Sequence, residues 1–140
     1  MKLALIGALA AVLMAPAVYA GETLDRVDST KVLKVATNAG WPPQSFLDDS
    51  NQLVGFDIGV ANEIAKRLGV TAAEFDTPEW GVMTGGRWGG RWDVAVGSIT
   101  PTKPRSEVLD FAGIYYYTPY VFAVNADSKV TDPKELNGKK

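Results

Sequence analysis

The sequence predicts an α/β fold, a mostly parallel sheet flanked by helices. Three observations carry that prediction. Lys31 to Ala36 (KVLKVA) is apolar enough to lie inside a sheet. Residues 57–68 place Val60, Ala61, Ile64, Ala65 and Leu68 on one helical stripe, with Asn62, Glu63, Lys66 and Arg67 opposite, and a second strand-like run follows at 70–76. Val94-Ala95-Val96 is short and β-branched, as expected of a central parallel strand, and it runs straight into a Gly97-Ser98-Ile99-Thr100 loop.

The elements follow in chain order. Lys2, an apolar run from Leu3 to Met14 and the small-residue site Val18-Tyr19-Ala20 read as a secretory signal peptide over 1–20. The competing reading is a membrane anchor, but the run is short for a bilayer span. Residues 21–30 are polar and read as a loose leader. Thr37 to Asn51, with Pro42, Pro43, Asp48, Asp49 and Ser50, reads as loop and turn, and Leu53 to Phe56 as a brief extended piece. Asp57 is the expected N-cap of the helix, and Gly69 its left-handed stop. Glu63 and Arg67 stand four apart in the favourable order.

Residues 79–92 combine Gly81, Gly85, Gly86, Gly89 and Gly90 with Trp80, Trp88 and Trp92. Each interior glycine costs a helix about 1 kcal/mol relative to alanine, so a short or irregular helix held by its tryptophans is expected. No Gly-Lys-Ser/Thr follows, so this is not a phosphate loop. Thr102 with Pro104 predicts a short helix carrying Arg105. Thr118 to Asn125 reads as a strand, and Thr131-Asp132-Pro133 as the start of a helical turn ending at Gly138.

The bulk composition narrows the chemistry. The 140 residues are 46% hydrophobic, with a formal net charge of −2 and no cysteine or histidine. That balance is globular and gives no sign of nucleic-acid binding. Zinc, haem and thiol sites lack their usual ligands, and a Ser-His-Asp triad is excluded within these residues. No metal or cofactor is expected.

In a parallel sheet, ligands sit beyond the carboxyl ends of the strands. The strand at 31–36 delivers Thr37, Asn38 and Trp41 there, and the run at 93–97 delivers Ser98, Thr100 and Thr102. Hydroxyls, backbone N–H groups at a helix start, and an arginine fork make a small anion site. Each residue also has an ordinary reading: Arg105 as a solvated surface group, Ser98 and Thr100 as turn chemistry, Trp41 and Trp80 as buried core aromatics.

The chain resembles the periplasmic solute-binding proteins that feed polar amino acids to ABC importers. Nine pieces carry the resemblance in the family's order: Leu33 to Pro43, Leu53 to Asp57, Ile64 to Gly69, Arg91 to Asp93, Gly97 to Thr102, Arg105, Leu109 to Phe111, Tyr115 to Thr118 and Leu136 to Lys140. The resemblance implies a type II periplasmic-binding-protein fold. On this reading residues 31–125 are an incomplete lobe one, and 126–140 are the crossover and the opening of lobe two.

The resemblance also implies roles. Arg105 would grip the α-carboxylate of an amino acid or related small carboxylate. Thr100 would add its hydroxyl and N–H, and Ser98 mainly its backbone. Trp41 would stack on the ligand, Trp80 would form a second aromatic wall, and Asn38 stands where an amine-contacting Asp is common. Pro101 takes one donor out of the loop, and Asn38 in place of Asp weakens the case for a basic ligand.

The implied function is extracytoplasmic capture for an ABC-importer permease, in the periplasm, by a protein that is monomeric at full length and is not an enzyme. Half a clamp is expected to bind amino acids very weakly or not at all on its own, because burying both ligand charges needs both sides closed. Two alternatives share the scaffold. One is a cyclohexadienyl dehydratase-like enzyme drawing on Asp48, Asp49 or Asp57, and the other is the sensor half of a receptor.

Overall fold

The structure, a computed structural model, describes residues 21–138. The expected signal peptide and the final two lysines lie outside the described residues. The chain divides into two compact units, the first ending at Leu109 and the second starting at Asp110.

The first unit is built on β1 (Val32–Ala36), which pairs in parallel with two other strands. The larger sheet has β1 in the centre, β5 (Ala72–Asp76) on one side and β6 (Val94–Ala95) on the other. The strand expected at the centre, β6, is therefore an edge of this sheet, and the more continuously apolar β1 takes the centre.

Side chains alternate between the two faces as period two requires. Leu33, Val35, Val94 and Val96 pack on one face with Val27, Ala61, Ala65 and Val70. Ala36 and Ala95 pack on the other with Met83, Trp88, Trp92 and Ile99. Helices thus cover both faces: α1 (Glu22–Thr30) and α2 (Phe56–Arg67) on the first, and α3 (Trp80–Thr84) on the second.

Residues 21–30 are not loose. They form α1, which buries Val27 and pairs Arg26 with the carboxylate of Asp93. That carboxylate also accepts from the Lys34 N–H at 2.8 Å, while the Asp93 N–H donates to the Lys34 carbonyl at 2.9 Å. A polar helix is stable here because a nearly buried acid at the amino edge of the sheet needs its cation.

The stretch from Gly40 to Val54 is more ordered than a loop. It forms an antiparallel meander of β2 (Gly40–Trp41), β3 (Ser45–Leu47) and β4 (Leu53–Val54). Asp48 closes its second turn, accepting from the Ser50 and Gln52 N–H groups at 2.9 and 2.8 Å.

The first meander turn then caps α2. The Pro43 and Gln44 carbonyls accept from the Phe56 and Asp57 N–H groups at 3.3 and 2.8 Å. Asp57 is therefore not the N-cap. Gly55 holds that position with φ 129°, and Asp57 lies in the first turn, fully buried. Gly69, with φ 68°, ends the helix as expected. Leu68 turns outward at the C-cap instead of joining the core. Arg67 bonds Glu63 at 2.8 Å and, with Lys66 nearby, holds that carboxyl below the usual carboxylate range.

The glycine-rich segment behaves as its composition suggests. Helix α3 is five residues long. The Trp88 indole donates to the Met83 carbonyl and the Trp92 indole to Asp76, both at 2.8 Å, and the two rings meet edge to face. Gly86, at φ 71°, lies against the Val108 backbone, where a Cβ would overlap the carbonyl.

The second unit contains a 3₁₀ turn at Pro133–Leu136, opened by a complete capping box between Asp132 and Glu135. Its N–H bonds from Asp132 and Thr131 hold the Glu135 carboxyl below its ordinary range. The strand expected over Thr118 to Asn125 does not form. It makes no ladder with any described residue, and Tyr120 and Val121 are 97% and 80% exposed. Apolar, β-prone sequence becomes a strand only where a neighbour pairs with it.

Gly55 and Gly59 give opposite predictions. A Cβ at Gly55 would overlap the Gln44 carbonyl and approach the Pro43 oxygen to 2.9 Å, whereas Gly59 faces open space inside α2. Gly55→Ala is expected to destabilise the protein by about 2 kcal/mol or more. Gly59→Ala is expected to stabilise it by about 0.5–1 kcal/mol. Urea midpoints at constant m-value measure both.

Candidate ligand-binding site

Parallel pairing brings the carboxyl ends of β5, β1 and β6 to one rim. The Thr37 N–H donates to the Asp76 carbonyl at 2.9 Å, tying the first two ends together. Gly97 ties in the third: a Cβ there would stand 3.7 Å from the Thr37 hydroxyl and 3.8 Å from the Asn38 amide nitrogen. The Thr37 hydroxyl is buried without a hydrogen-bond partner. An orphan polar atom beneath a rim of this kind is where a bound water or ligand group is usually found.

The six residues singled out from the sequence fall into two linked groups. Asn38 follows β1 and accepts from the Ser45 hydroxyl at 3.1 Å. Ser45 stands directly across the ladder from Trp41, so the indole projects from the face on which Ser45 reaches Asn38. Trp41 is 60% exposed, which removes the core reading and leaves its ring available for contact.

The second group surrounds Arg105. Helix α4 (Lys103–Ser106) is a single turn with Thr102 at its N-cap position and Pro104 in its first turn. Thr102 makes no side-chain capping bond, and one turn has too few aligned peptides for a useful dipole. The contribution of α4 is therefore to place Arg105. Its Nη1 donates to the Thr100 carbonyl at 2.9 Å, and its guanidinium lies 5.4 Å from the centre of the Trp80 ring.

Arg105 is half-buried, its guanidinium held by the Thr100 carbonyl and the Trp80 ring. Its Nε and Nη2 groups have no hydrogen-bond partner among the described residues. Trp80, at 38% exposure, is not a core residue either, and part of its aromatic face is taken by Arg105. The Thr100 side chain is exposed, while its carbonyl is committed to Arg105.

Ser98 adopts φ 54°, uncommon for a residue with a side chain. Its hydroxyl donates to both oxygens of Asp57, at 3.0 and 2.9 Å. Sequence reasoning missed this role of Asp57, because a polar residue before a helical stripe reads as a cap. Asp76 was missed too: its carboxylate receives the Trp92 indole and the Thr77 N–H, both at 2.8 Å. An acid closing an apolar strand was its only signal. A separate cavity of about 300 Å³, lined by Asn62, Ala65, Lys66 and Val70–Ala73, opens at the amino end of β5, away from this rim.

A parallel sheet sheathed by helices, with polar and aromatic groups gathered at its carboxyl edge, defines the class: a lobe of the periplasmic-binding-protein type. The sequence family described as bacterial extracellular solute-binding proteins, family 3, matches residues 33–136, and the chain belongs to it. A probable amino-acid ABC transporter-binding protein of Haemophilus influenzae is 33% identical over 87% of this chain and 48% of its own length. An L-arginine-binding protein of Pseudomonas aeruginosa is 31% identical over 99% of this chain and 51% of its own. The chain thus spans about half the length of these relatives.

Among solved structures, the arginine-bound form of domain 1 from TmArgBP, of T. maritima, superposes with a TM-score of 0.62 at 32% identity, covering 66% of this chain and 72% of that one. An ancestral cyclohexadienyl dehydratase superposes with a TM-score of 0.56 at 34% identity, covering 60% of this chain and 34% of that one.

Trp80 and Arg105 are expected to be coupled. A guanidinium over an exposed ring is worth about 0.5–1 kcal/mol. A double-mutant cycle of Trp80→Leu and Arg105→Gln, read by denaturant unfolding, should return a coupling of about that size.

Proposed function

We propose that this chain forms lobe one of a two-lobed clamp that captures a free amino acid outside the cytoplasm and presents it to an ABC-importer permease. The observation that carries the reading is Arg105. It is half-buried, held by the Thr100 carbonyl and the Trp80 ring, and keeps its remaining N–H groups uncommitted among the described residues. A preset guanidinium fork of this kind matches a carboxylate through two parallel hydrogen bonds.

The other residues have supporting roles in this reading. The Thr100 hydroxyl and the backbone of the Ser98 loop complete the carboxylate contact. Trp41 offers its ring to the ligand side chain, and the Asn38 amide faces the same rim. Trp80 acts chiefly through Arg105. Capture needs hinge closure and no covalent step. An exported, periplasmic protein, monomeric at full length, fits a family of extracellular solute-binding proteins, and several relatives are named for binding amino acids, arginine and cystine among them.

The dehydratase-like alternative keeps the ancestral-dehydratase likeness as its support. Two of its three candidate acids are committed elsewhere, Asp48 to its turn and Asp57 to Ser98, while Asp49 is exposed in the same turn as Asp48. The arginine-bound form of domain 1 from TmArgBP bears on the expectation that half a clamp binds very weakly or not at all. In that relative a single domain carries its ligand, so measurable binding by lobe one alone is consistent with the proposal.

Arg105→Ala removes a charged hydrogen-bonding partner worth about 1.5–3 kcal/mol and should raise Kd for the bound amino acid about ten- to hundredfold. Arg105→Lys keeps the charge without the fork and should fall between the two. Isothermal titration with L-arginine and L-cystine as probes measures this. Unchanged affinity in Arg105→Ala would refute the assignment.

A further inference from the structure

We propose that Asp57 is the positioning residue of the ligand loop: it holds Ser98 in its left-handed conformation, so that the backbone beyond Ser98 meets the ligand carboxylate. The inference rests on the capture reading. Nothing in that reading uses Asp57 itself, which touches no solvent and stands 41 residues away in sequence.

Three observations converge. First, the Asp57 carboxylate is wholly buried, and a buried acid persists where its oxygens are bonded. The Ser98 hydroxyl lies between both oxygens, at 3.0 and 2.9 Å. Second, Ser98 has φ 54°, a backbone state that a residue with a Cβ keeps only when its surroundings enforce it. Third, Asp57 is itself fixed. Its N–H donates to the Gln44 carbonyl at 2.8 Å, and it lies in the first turn of α2, where the peptide dipoles favour an anion.

The anchor connects two parts of the rim. Through Gln44 it is fastened to the turn that carries Trp41, and through Ser98 to the loop that leads to Thr100 and Arg105. The two sides of the candidate site are thereby held in register before any ligand arrives, which lowers the ordering cost of binding.

The test is a double-mutant cycle of Asp57→Asn and Ser98→Ala, with L-arginine and L-argininamide as probes. Each single variant is expected to lose about tenfold in affinity for the acid and to lose most of its preference for acid over amide, with the double variant losing no more than either single. General destabilisation would weaken both probes alike, so the acid-to-amide ratio separates positioning from folding.

Additive losses, or an unchanged ratio while Arg105→Ala still weakens binding, would overturn the role of Asp57 and leave the capture reading intact. If Arg105→Ala has no effect on binding, the capture reading fails. In that case amide exchange in the ligand-free protein still decides the anchor. Faster exchange at Ile99 and Thr100 in Asp57→Asn, with Val96 unchanged as the internal reference, supports it, and equal rates overturn it.

Discussion

Parallel pairing of β1 with β5 on one side and β6 on the other decides where chemistry can occur in this molecule. Antiparallel neighbours would send alternate strand ends to opposite edges. Here three ends leave the sheet together, each into a short polar segment: Asp76, then Thr37 and Asn38, then Gly97 and Ser98. The amino edge is closed instead by the Asp93 carboxylate, with Arg26 and the Lys34 N–H as its partners. One edge is thus tied shut and the other is left with a buried, unpartnered hydroxyl and an exposed indole.

The way that edge is assembled explains what was legible in the sequence. Strand β1, helix α2, strand β5 and the irregular tryptophan segment follow from period and composition, because each carries its own apolar pattern within a few residues. The meander at 40–54 was not legible. Its strands are two or three residues long, and they pair only because the first turn is pinned against α2 through Gly55. Helix α1 was also missed, since a polar decapeptide shows no core stripe and its stability depends on a distant acid. At 118–125 the error ran the other way: apolar, β-prone residues were visible, but no described strand lies beside them.

The candidate site shows the same division. Ser98, Thr100, Arg105, Asn38 and Trp41 could be singled out because strand ends, hydroxyls and an arginine carry local signals. Asp57 was visible but misassigned, because its partner lies far along the chain. Local preference favoured a cap, whereas the backbone carbonyls of Pro43 and Gln44 had already taken the helix N–H groups. With capping done by backbone, the carboxylate was left to serve Ser98. Trp80 follows similar logic: a ring read as a wall for ligand spends part of its face on the Arg105 guanidinium.

That distribution of commitments bears on the choice between binding and catalysis at this rim. An enzyme on this rim would need an acid free to exchange a proton with substrate. Asp57 and Asp76 are instead tied to a hydroxyl, an indole and a backbone amide, and Asp48 to its own turn. The donors tell the opposite story. Arg105 is oriented by one carbonyl and one ring, with its remaining N–H groups uncommitted among the described residues, and the orphan Thr37 hydroxyl lies below. Bonded acids beside an oriented guanidinium suit the proposed anion recognition better than proton transfer.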